Sequence, residues 1–438
     1  MLVERRGCTI RSDAAVNRRR EEQQRMTRSF NITKKEVWIA YQAVRANRGS
    51  AGVDGQSIEE FEGNLTDNLY KLWNRISSGS YLPPAVKRVE IPKSNGTSRP
   101  LGIPTVADRI AQTVIKNRLE PCVEPHFHED SYGFRPGKSA HDAIEQAKKR
   151  CWRDSWVLDV DIKGFFESID HTLLMKAVSH FTTCRVTLLY IYRWLTADVV
   201  LMNGETTRRT CGTPQGGVIS PILANIFLHF TFDRWMQRNF PCIHFERYAD
   251  DIVVHCRSPK QVEMIQRGIE ARFAQCHLEL SPEKTKVVYC KDSNRDGQFS
   301  ETSFDFLGYT FRPRSVRDRR GAFFVSFSPA VSRKALTAMR ERLRRLPLLR
   351  SVFSAEFEEV AAVLNPIVRG WINYYGKFRP SALSPLYRYL NDQLARWARR
   401  KFKFLHRRKV RSGLWLRECY RRQPSLFVHW TVWRWMSE

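Results

Sequence analysis

The chain has 438 residues and a formal charge of +28, with 73 lysines and arginines against 45 aspartates and glutamates. An excess of this size indicates a polyanionic partner, either nucleic acid or an anionic membrane surface. The chain is also too basic for an ordinary metabolic enzyme. Because 42% of the residues are hydrophobic and 12% aromatic, the chain can bury real cores, and its length predicts two or three domains. Residues 312–438 carry 29 basic against 8 acidic side chains, a net +21, which leaves +7 for the rest.

The sequence predicts neither a membrane span nor a secretory signal. Its most apolar stretch, residues 188–202, is interrupted by Arg193 and Asp198 and is shorter than the ~20 apolar residues that a membrane span needs. The arginine-rich N-terminus has no apolar segment after it. The ten cysteines are scattered singly, which is typical of reduced thiols in a cytoplasmic protein without a structural zinc site.

The first part of the chain mixes helical and strand-like segments. Residues 1–30 are polar and arginine-rich and are expected to form a basic extension. The spacing of apolar residues predicts a helix over 34–47, and the glycines of 49–55 predict a turn directly after it. Short β-rich runs are expected between residues 81 and 104, and a further helix over 108–119.

The rest of the chain divides at Pro313. The elements expected before it are a strand over 157–162, helices over 171–180 and 186–197, a loop at 212–217, a long apolar helix over 219–236, and two strands within 243–255 joined by a turn at Asp250-Asp251. After Pro313, apolar residues recur at helical spacing and predict a separate, all-helical domain.

Four aspartates indicate a metal site. Asp250 and Asp251 are adjacent at a predicted hairpin, and Asp159 and Asp161 lie on the strand predicted upstream. Adjacent carboxylates repel each other unless a cation lies between them, and hard divalent cations such as Mg²⁺ prefer such oxygen ligands. A lone Asp-Asp pair is more often only a turn. Carboxylates on a second strand, in so basic a chain, favour a polymerase-type site with two metal ions.

Several motifs resemble those of the reverse transcriptases encoded by bacterial group II introns, the reverse transcriptase/maturase family. The run 247–251 (Arg-Tyr-Ala-Asp-Asp) is similar to that family's catalytic hairpin, and residues 161–171 are similar to its first metal-binding strand. Further similar segments follow in the family's order: 49–55, 91–93 with 99–104, 108–109, 131–137, 212–217 with 220–221, 280–286, 306–308, and Gly370-Trp371-Ile372-Asn373-Tyr374-Tyr375. The ordered set covers the chain from about residue 30 to its end.

The resemblance implies an α+β fold, a right-hand polymerase with fingers and palm followed by an all-helical thumb/maturase (X) domain. The implied divisions are a basic N-terminal extension at 1–30, an N-terminal reverse transcriptase extension at 31–72, fingers and palm at 73–312, the thumb/maturase domain at 313–411, and a basic-aromatic C-terminal tail at 412–438.

The resemblance also implies roles for individual residues. The catalytic residues are Asp161, Asp250 and Asp251. The metal-binding residues are these three and Ile162, with two Mg²⁺ ions, or Mn²⁺ in their place, as cofactors. Asp159 is the alternative to Asp161, because positions two apart on a strand share a face; otherwise Asp159 is a solvated or salt-bridged strand residue. The dNTP contacts are Lys93, Arg99, Gln215 and Phe165, whose ring would exclude a ribose 2′-hydroxyl. The primer or template contacts are Lys286, Leu307 and Gly308. The RNA contacts are Arg399, Arg400, Lys401, Arg407, Arg408 and Lys409.

The function implied is RNA-directed DNA polymerisation: dNTPs are added to a DNA or RNA primer 3′-hydroxyl on an intron RNA template. The family's second role is as a maturase, which binds intron RNA and assists its splicing. The segment after the thumb has no cysteine pair, so we expect a member without endonuclease activity. Two alternatives are a protein that acts mainly as an RNA-binding splicing factor, and a domesticated reverse transcriptase in DNA repair or phage defence. The sequence predicts no particular oligomeric state.

Overall fold

The computed structural model describes residues 30–92, 98–295, 297–318, 320–350 and 356–433. The chain forms two compact units. Unit 1 comprises the chain up to Gly137, Ile162–Cys242 and Arg267–Ser281; unit 2 comprises Lys138–Asp161, Ile243–Gln266 and the chain from Pro282 onward. Within the described ranges, no helix is long and apolar enough to cross a membrane, and all cysteines are free.

The secondary structure elements are numbered in chain order. The helices are α1 (Lys34–Asn47), α2 (Ile58–Glu62), α3 (Leu65–Ser78), α4 (Val106–Val123), α5 (Ala140–Arg153), α6 (Phe165–Ser168), α7 (His171–Phe181), α8 (Arg185–Leu195), α9 (Ser220–Leu228), α10 (Arg234–Asn239), α11 (Pro259–Gln275), α12 (Arg333–Arg345), α13 (Pro347–Arg350), α14 (Phe357–Tyr375), α15 (Ser384–Lys401), α16 (Lys409–Arg422) and α17 (Val428–Val432). The strands are β1 (Val86–Pro92), β2 (Ser98–Ile103), β3 (Trp156–Val160), β4 (Val199–Val200), β5 (Thr206–Thr207), β6 (Phe245–Tyr248), β7 (Asp251–Cys256), β8 (Lys286–Tyr289), β9 (Phe304–Phe306), β10 (Tyr309–Arg317) and β11 (Phe323–Val331).

Unit 1 confirms the helix and turn predicted near its start. Helix α1 begins with a capping box, in which the backbone N–H of Glu36 donates to Thr33 Oγ1 at 3.2 Å and the Thr33 N–H donates to the Glu36 carboxylate at 2.8 Å. The glycine turn then passes close to the start of α4. A Cβ on Gly52 would lie 2.7 Å from the backbone of Thr105, so only glycine fits there. Beyond α3, the strands form a four-stranded sheet in the order β2-β1-β4-β5.

The long apolar helix expected over 219–236 is interrupted. Helix α9 ends at Leu228, a π-helical turn occupies His229–Asp233, and α10 continues from Arg234. The hydroxyl of Thr231 donates to the carbonyl of Phe227 at 3.0 Å, four residues earlier, and so competes with the regular helical ladder at this point. The apolar residues from which this helix was predicted do not indicate the π-helical turn.

Unit 2 contains a four-stranded antiparallel sheet in the order β6-β7-β3-β8. Its central strand β3 ends at Val160, whereas the predicted strand ran on to Ile162. Ile162 instead forms an isolated bridge with Leu280. Asp161 therefore lies directly after the strand, at the end of the sheet.

The expectation that helices follow Pro313 directly is wrong. Strands β10 and β11 pair from Tyr309 with Val331 to Arg317 with Phe323, so a β-hairpin occupies this stretch and helices begin only at α12. Residues 323–331 are rich in aromatic and β-branched side chains that suit a pleated surface. Phe304 stacks on Phe311 at 4.7 Å and on Phe327 at 6.2 Å, which binds β9, β10 and β11 into one sheet.

The C-terminal helices of unit 2 pack around one apolar core, and α12, α14 and α15 carry apolar residues at the helical spacing predicted for this part of the chain. The predicted tail at 412–438 is wrong as a separate segment, because its boundary cuts through α16. Phe427 is fully buried and Trp430 is 2% exposed. Phe357 contacts Phe427 at 5.0 Å between ring centres. These aromatic side chains complete the helical core, which is why the segment folds onto it.

Candidate active site

The predicted catalytic aspartates meet at one end of the sheet in unit 2. Strand β3 pairs with β7 in a register that ends with Val160 opposite Ile252. Continued by one residue, this register sets Asp161 opposite Asp251. Asp250 precedes Asp251 in the hairpin that joins β6 to β7. The sheet thus brings the three residues together from two strands far apart in sequence.

The hairpin turn lies one residue earlier than predicted. Tyr248 pairs with Asp251, so the turn consists of Ala249 and Asp250, and Asp251 is already in β7. Ala249 has a φ of 57° and Asp250 does not have a positive φ, which is typical of a type II′ turn. A non-glycine residue in this conformation costs about 1–3 kcal/mol. Nη1 of the buried Arg247 donates to the Ala249 carbonyl at 3.1 Å and holds the turn.

Negative charge accumulates beside these residues. Burial and, after it, the negative charges of Asp251 and Asp161 raise the pKa of Asp159 to about 7, while Lys286 acts in the opposite direction. Lys286 is paired with Asp159 across β3 and β8. Nζ of Lys284 forms an ion pair with Asp161 Oδ2 at 2.9 Å. Two lysines therefore offset part of a negative potential that the sheet end creates.

The aspartates at this end of the sheet have the chemistry that a divalent cation requires of its ligands. Their carboxylates are hard oxygen donors, and the negative charges of Asp251 and Asp161 contribute, after burial, to the raised pKa of Asp159. In the described part of the chain, no three His, Cys, Asp or Glu side chains are already arranged as a metal-binding group. Asp161 is held by Lys284, so this lysine would have to release the carboxylate for a cation to bind.

A buried ion pair beneath the hairpin escaped the sequence prediction. Nη1 of Arg150 donates to Glu246 Oε1 at 2.6 Å and to the Phe245 carbonyl at 2.8 Å, and His255 Nε2 lies 2.5 Å from the other Glu246 oxygen. Glu246 and His255 have no exposed side-chain surface. Glu246 lies on β6 and His255 on β7, the two strands that are joined by the turn at Ala249 and Asp250. The signal in the sequence is an acidic residue, Glu246, in the middle of a short strand next to an apolar one, where a buried charge requires a partner.

Two of the expected dNTP residues meet in unit 1. Nε of Arg99 on β2 donates to Gln215 Oε1, and the Gly102 N–H donates to the Gln215 carbonyl at 2.7 Å. The loop 212–217 is therefore fastened to β2. Lys93 lies outside the described residues. Phe165 is 2% exposed and packs on Phe166 at 5.3 Å and on Phe227 at 6.5 Å, so much of its ring belongs to the core of unit 1.

A pocket of about 290 Å³ lies beside the same loop in unit 1. Its lining includes Arg88, Arg209 and Gln215. Burial lowers the pKa of Arg209, and its Nη1 has no hydrogen-bond partner among the residues that the structure describes. Sequence reasoning had not singled out Arg209. A guanidinium with one buried nitrogen that lacks a hydrogen-bond partner suits an anionic group.

The predicted primer residues Leu307 and Gly308 form the two-residue turn between β9 and β10 in unit 2. Their φ angles are 51° and 80°, as in a type I′ hairpin. A bulky residue with a positive φ is an outlier, so Leu307 must be held in place by its surroundings. Lys286, the third predicted primer residue, begins β8.

Comparison with known proteins identifies the chain. The family model described as "Reverse transcriptase (RNA-dependent DNA polymerase)" matches residues 91–311, just over half of the chain. The model described as "Group II intron, maturase-specific domain" matches residues 336–415. The chain belongs to the group II intron reverse transcriptase/maturase family. It is an RNA-directed DNA polymerase of mixed α/β content with a helical C-terminal maturase region.

Individual relatives agree with this assignment. The chain is 34% identical over 342 residues to Protein YkfC of Escherichia coli (67% of this chain and 84% of the relative). It is 36% identical over 420 residues to the Group II intron-encoded protein LtrA of Lactococcus lactis (77% and 68%). It is also 24% identical over 414 residues to the Putative COX1/OXI3 intron 1 protein of Saccharomyces cerevisiae (77% and 48%).

The residues expected to bind RNA in this reverse transcriptase/maturase differ in their surroundings. Arg399, Arg400 and Arg407 line a groove of about 640 Å³ in unit 2, together with Arg344 and Arg396. Arg408 and Lys409 are exposed nearby in sequence. Lys401 forms an ion pair with Glu356 at 3.0 Å, and Nη1 of Arg399 donates to Ser412 Oγ at 2.8 Å. Part of the predicted RNA surface therefore also stabilises the helical region.

A larger arginine-lined groove in unit 2, of about 980 Å³, was missed. Its arginines are Arg312, Arg314, Arg333, Arg340 and Arg379. Burial and the positive charges of Arg312 and Arg379 lower the pKa of Arg314 to about 10. Nε of Arg340 is buried without a hydrogen-bond partner in the described chain. Arg312 and Arg314 are two apart on β10, a period that marks one face of a strand, but the segment had been predicted as helical.

Proposed function

We propose that this RNA-directed DNA polymerase catalyses dNTP addition at the end of the unit 2 sheet, with Asp161, Asp250 and Asp251 holding two divalent cations. The observation that carries the proposal is the register of β3 with β7, which sets Asp161 beside the Asp250–Asp251 hairpin at one end of the sheet. Asp159 lies next to them, and burial and the charges of Asp251 and Asp161 raise its pKa. When bound, Mg²⁺ or Mn²⁺ supplies a lowered pKa at the primer 3′-hydroxyl and charge stabilisation for the departing pyrophosphate. The proposed overall architecture is a right hand with fingers, palm and thumb.

The remaining residues of this chain bind and orient the reactants. In the proposed reaction the primer 3′-hydroxyl attacks the α-phosphorus of a dNTP, and pyrophosphate leaves. Arg99, fixed by Gln215, is proposed to bind the triphosphate, since a guanidinium offsets the charge that develops on the leaving group. Phe165 is proposed to close the space beneath the sugar C2′. The Leu307–Gly308 turn is proposed to hold the primer end.

The choice between Asp161 and Asp159 is open to a direct test. Asp161 ends the sheet opposite Asp251, whereas Asp159 lies two residues inside the sheet and opposite Lys286. We therefore expect Asp161→Asn to lower primer extension on an RNA template by more than ~100-fold, as for loss of a metal ligand, and Asp159→Asn to lower it far less. Equal losses, or a larger loss for Asp159→Asn, would contradict the assignment.

The maturase role is proposed to rest on the basic surfaces of unit 2, with a folded group II intron RNA as partner. The relative LtrA is a group II intron-encoded protein by name, and the maturase model matches the helices that carry residues 399–409. Neutralising residues 407–409 by alanine in the full chain should weaken intron RNA binding and reduce the slope of log affinity against log salt by about 2. An unchanged slope would mean that these side chains do not contact phosphates.

A further inference from the structure

The backbone of the proposed primer turn is held by the helical maturase region. The hydroxyl of Tyr374 on α14 donates to the Leu307 carbonyl at 2.9 Å. The backbone N–H of Ser332, the N-cap of α12, donates to the Gly308 carbonyl at 3.0 Å. Both carbonyls of the two-residue turn are thus engaged by donors from outside the sheet. The turn cannot shift without breaking contacts to these two helices.

Tyr374 is itself fixed on several sides. The ring of His141 stacks on it at 4.9 Å between ring centres with an interplanar angle of 25°. Nε2 of His141 donates to the Tyr374 carbonyl at 2.8 Å, and the Tyr309 hydroxyl donates to the same carbonyl. Its hydroxyl therefore reaches Leu307 from a position set by both its ring and its backbone. A side chain placed in this way is suited to define a geometry.

Three further observations point to the same contact. Leu307 has a positive φ, a conformation that leucine adopts only when its surroundings impose it. A Cβ on Gly308 would lie 3.0 Å from the Tyr375 hydroxyl, so the turn and α14 are packed as closely as glycine permits. Burial and, after it, the neighbouring hydroxyls of Tyr375 and Tyr248 raise the pKa of Tyr374 to about 12. The phenol thus stays protonated and can donate, and Tyr248 belongs to the strand that leads into the catalytic turn.

We propose that Tyr374 is a positioning residue for polymerisation: through its hydrogen bond to Leu307 it sets the backbone of the Leu307–Gly308 turn and hence the position of the primer end. This inference rests on the proposed primer role of that turn. It assigns a function in DNA synthesis, in addition to any function in splicing, to Tyr374 of the Tyr374-Tyr375 pair that ends the family-like segment 370–375. The proposed role depends on two groups, the carbonyl of Leu307 and the hydroxyl of Tyr374.

Replacing Tyr374 by phenylalanine tests the hydroxyl alone, because the ring that stacks on His141 remains. We expect kcat for primer extension to fall about 5- to 10-fold, the effect of one hydrogen bond, while the KM for dNTP and the Kd for primer–template stay within about 2-fold. The ratio of the extension rate from a mismatched primer end to that from a matched end should also differ between Tyr374→Phe and the unmodified protein. The control is Tyr387→Phe, which alters a tyrosine packed on His429 in the helical core and should leave all these values unchanged.

A second variant separates failure of this inference from failure of the primer assignment. Gly308→Ala introduces a Cβ against the Tyr375 hydroxyl and strains the turn directly. Reduced extension by both Gly308→Ala and Tyr374→Phe, with an unchanged melting temperature for the latter, supports the proposal. Reduced extension by Gly308→Ala alone rejects the role of Tyr374 and leaves the primer turn in place. Normal extension by Gly308→Ala rejects the primer role of the turn, and the inference with it.

Discussion

Replacing Glu246 by alanine should destabilise unit 2 severely. The carboxylate is wholly buried, Arg150 is 8% exposed, and the two are 2.6 Å apart. Removing one partner of a buried pair costs about 3–5 kcal/mol, because the remaining charge has neither water nor counter-charge. Arg150 keeps the Phe245 carbonyl as an acceptor, which favours the lower end of this range. At about 2–4 °C per kcal/mol for a unit of roughly 200 residues, the melting temperature should fall by about 10 °C.

Thermal unfolding followed by circular dichroism measures this loss. Glu246→Gln keeps an oxygen that faces Arg150 and should lose about half as much. The control is Glu418→Ala, which removes an exposed ion pair with Arg422 at 3.2 Å in the same unit and should change stability by less than about 1 kcal/mol. A shift for Glu246→Ala no larger than that of the control would refute the view that this pair supports the catalytic hairpin.

Two further variants test other parts of the account. Phe165→Ala should allow ribonucleotides to be incorporated in primer extension; unchanged selectivity together with a lower melting temperature would mean that the ring only packs against Phe227. His429 is buried and hydrogen-bonded to Asn391 at 2.9 Å, and burial lowers its pKa to about 3. Between pH 6.5 and 3 the unfolded chain binds the extra proton, so stability should fall by about 1.4 kcal/mol per pH unit as the pH decreases. Denaturant titrations of His429→Gln should show a flatter pH dependence; an identical slope would contradict this.

Local patterns in the sequence predicted much of the catalytic sheet. The alternation of apolar and acidic residues around Asp159 marks a strand, and two apolar strands around 250–251 mark a hairpin, so each element could be found within a short window. Helix α1 was predicted with its bounds because the apolar spacing that marks it is also local. The register of β3 with β7, which sets Asp161 beside Asp251, could not be obtained in this way, since it pairs strands that are distant in sequence.

The wrong or missed predictions concern contacts between residues that are far apart in the sequence. The β10–β11 hairpin was missed because the helical spacing of apolar residues was applied to the whole chain after Pro313. Pro313 is tolerated in β10 because β9 pairs only with Tyr309–Phe311, so in the described part of the chain β10 has no strand partner on that side from Arg312 onward. The aromatic residues near 427–433 were predicted as a tail because their partners, such as Phe357, lie about 70 residues earlier. Arg150 and Glu246 were missed for the same reason.

Paired replacement of Asp250 and Asp251 by alanine tests the central claim most directly. The turn that carries them is exposed enough to tolerate the change, while the basic surfaces of unit 2 remain intact. The full chain should then lose cDNA synthesis on an RNA template by more than ~100-fold and retain intron RNA binding and splicing activity. Residual cDNA synthesis near the level of the unmodified protein would contradict the assignment of the sheet end as the polymerase site.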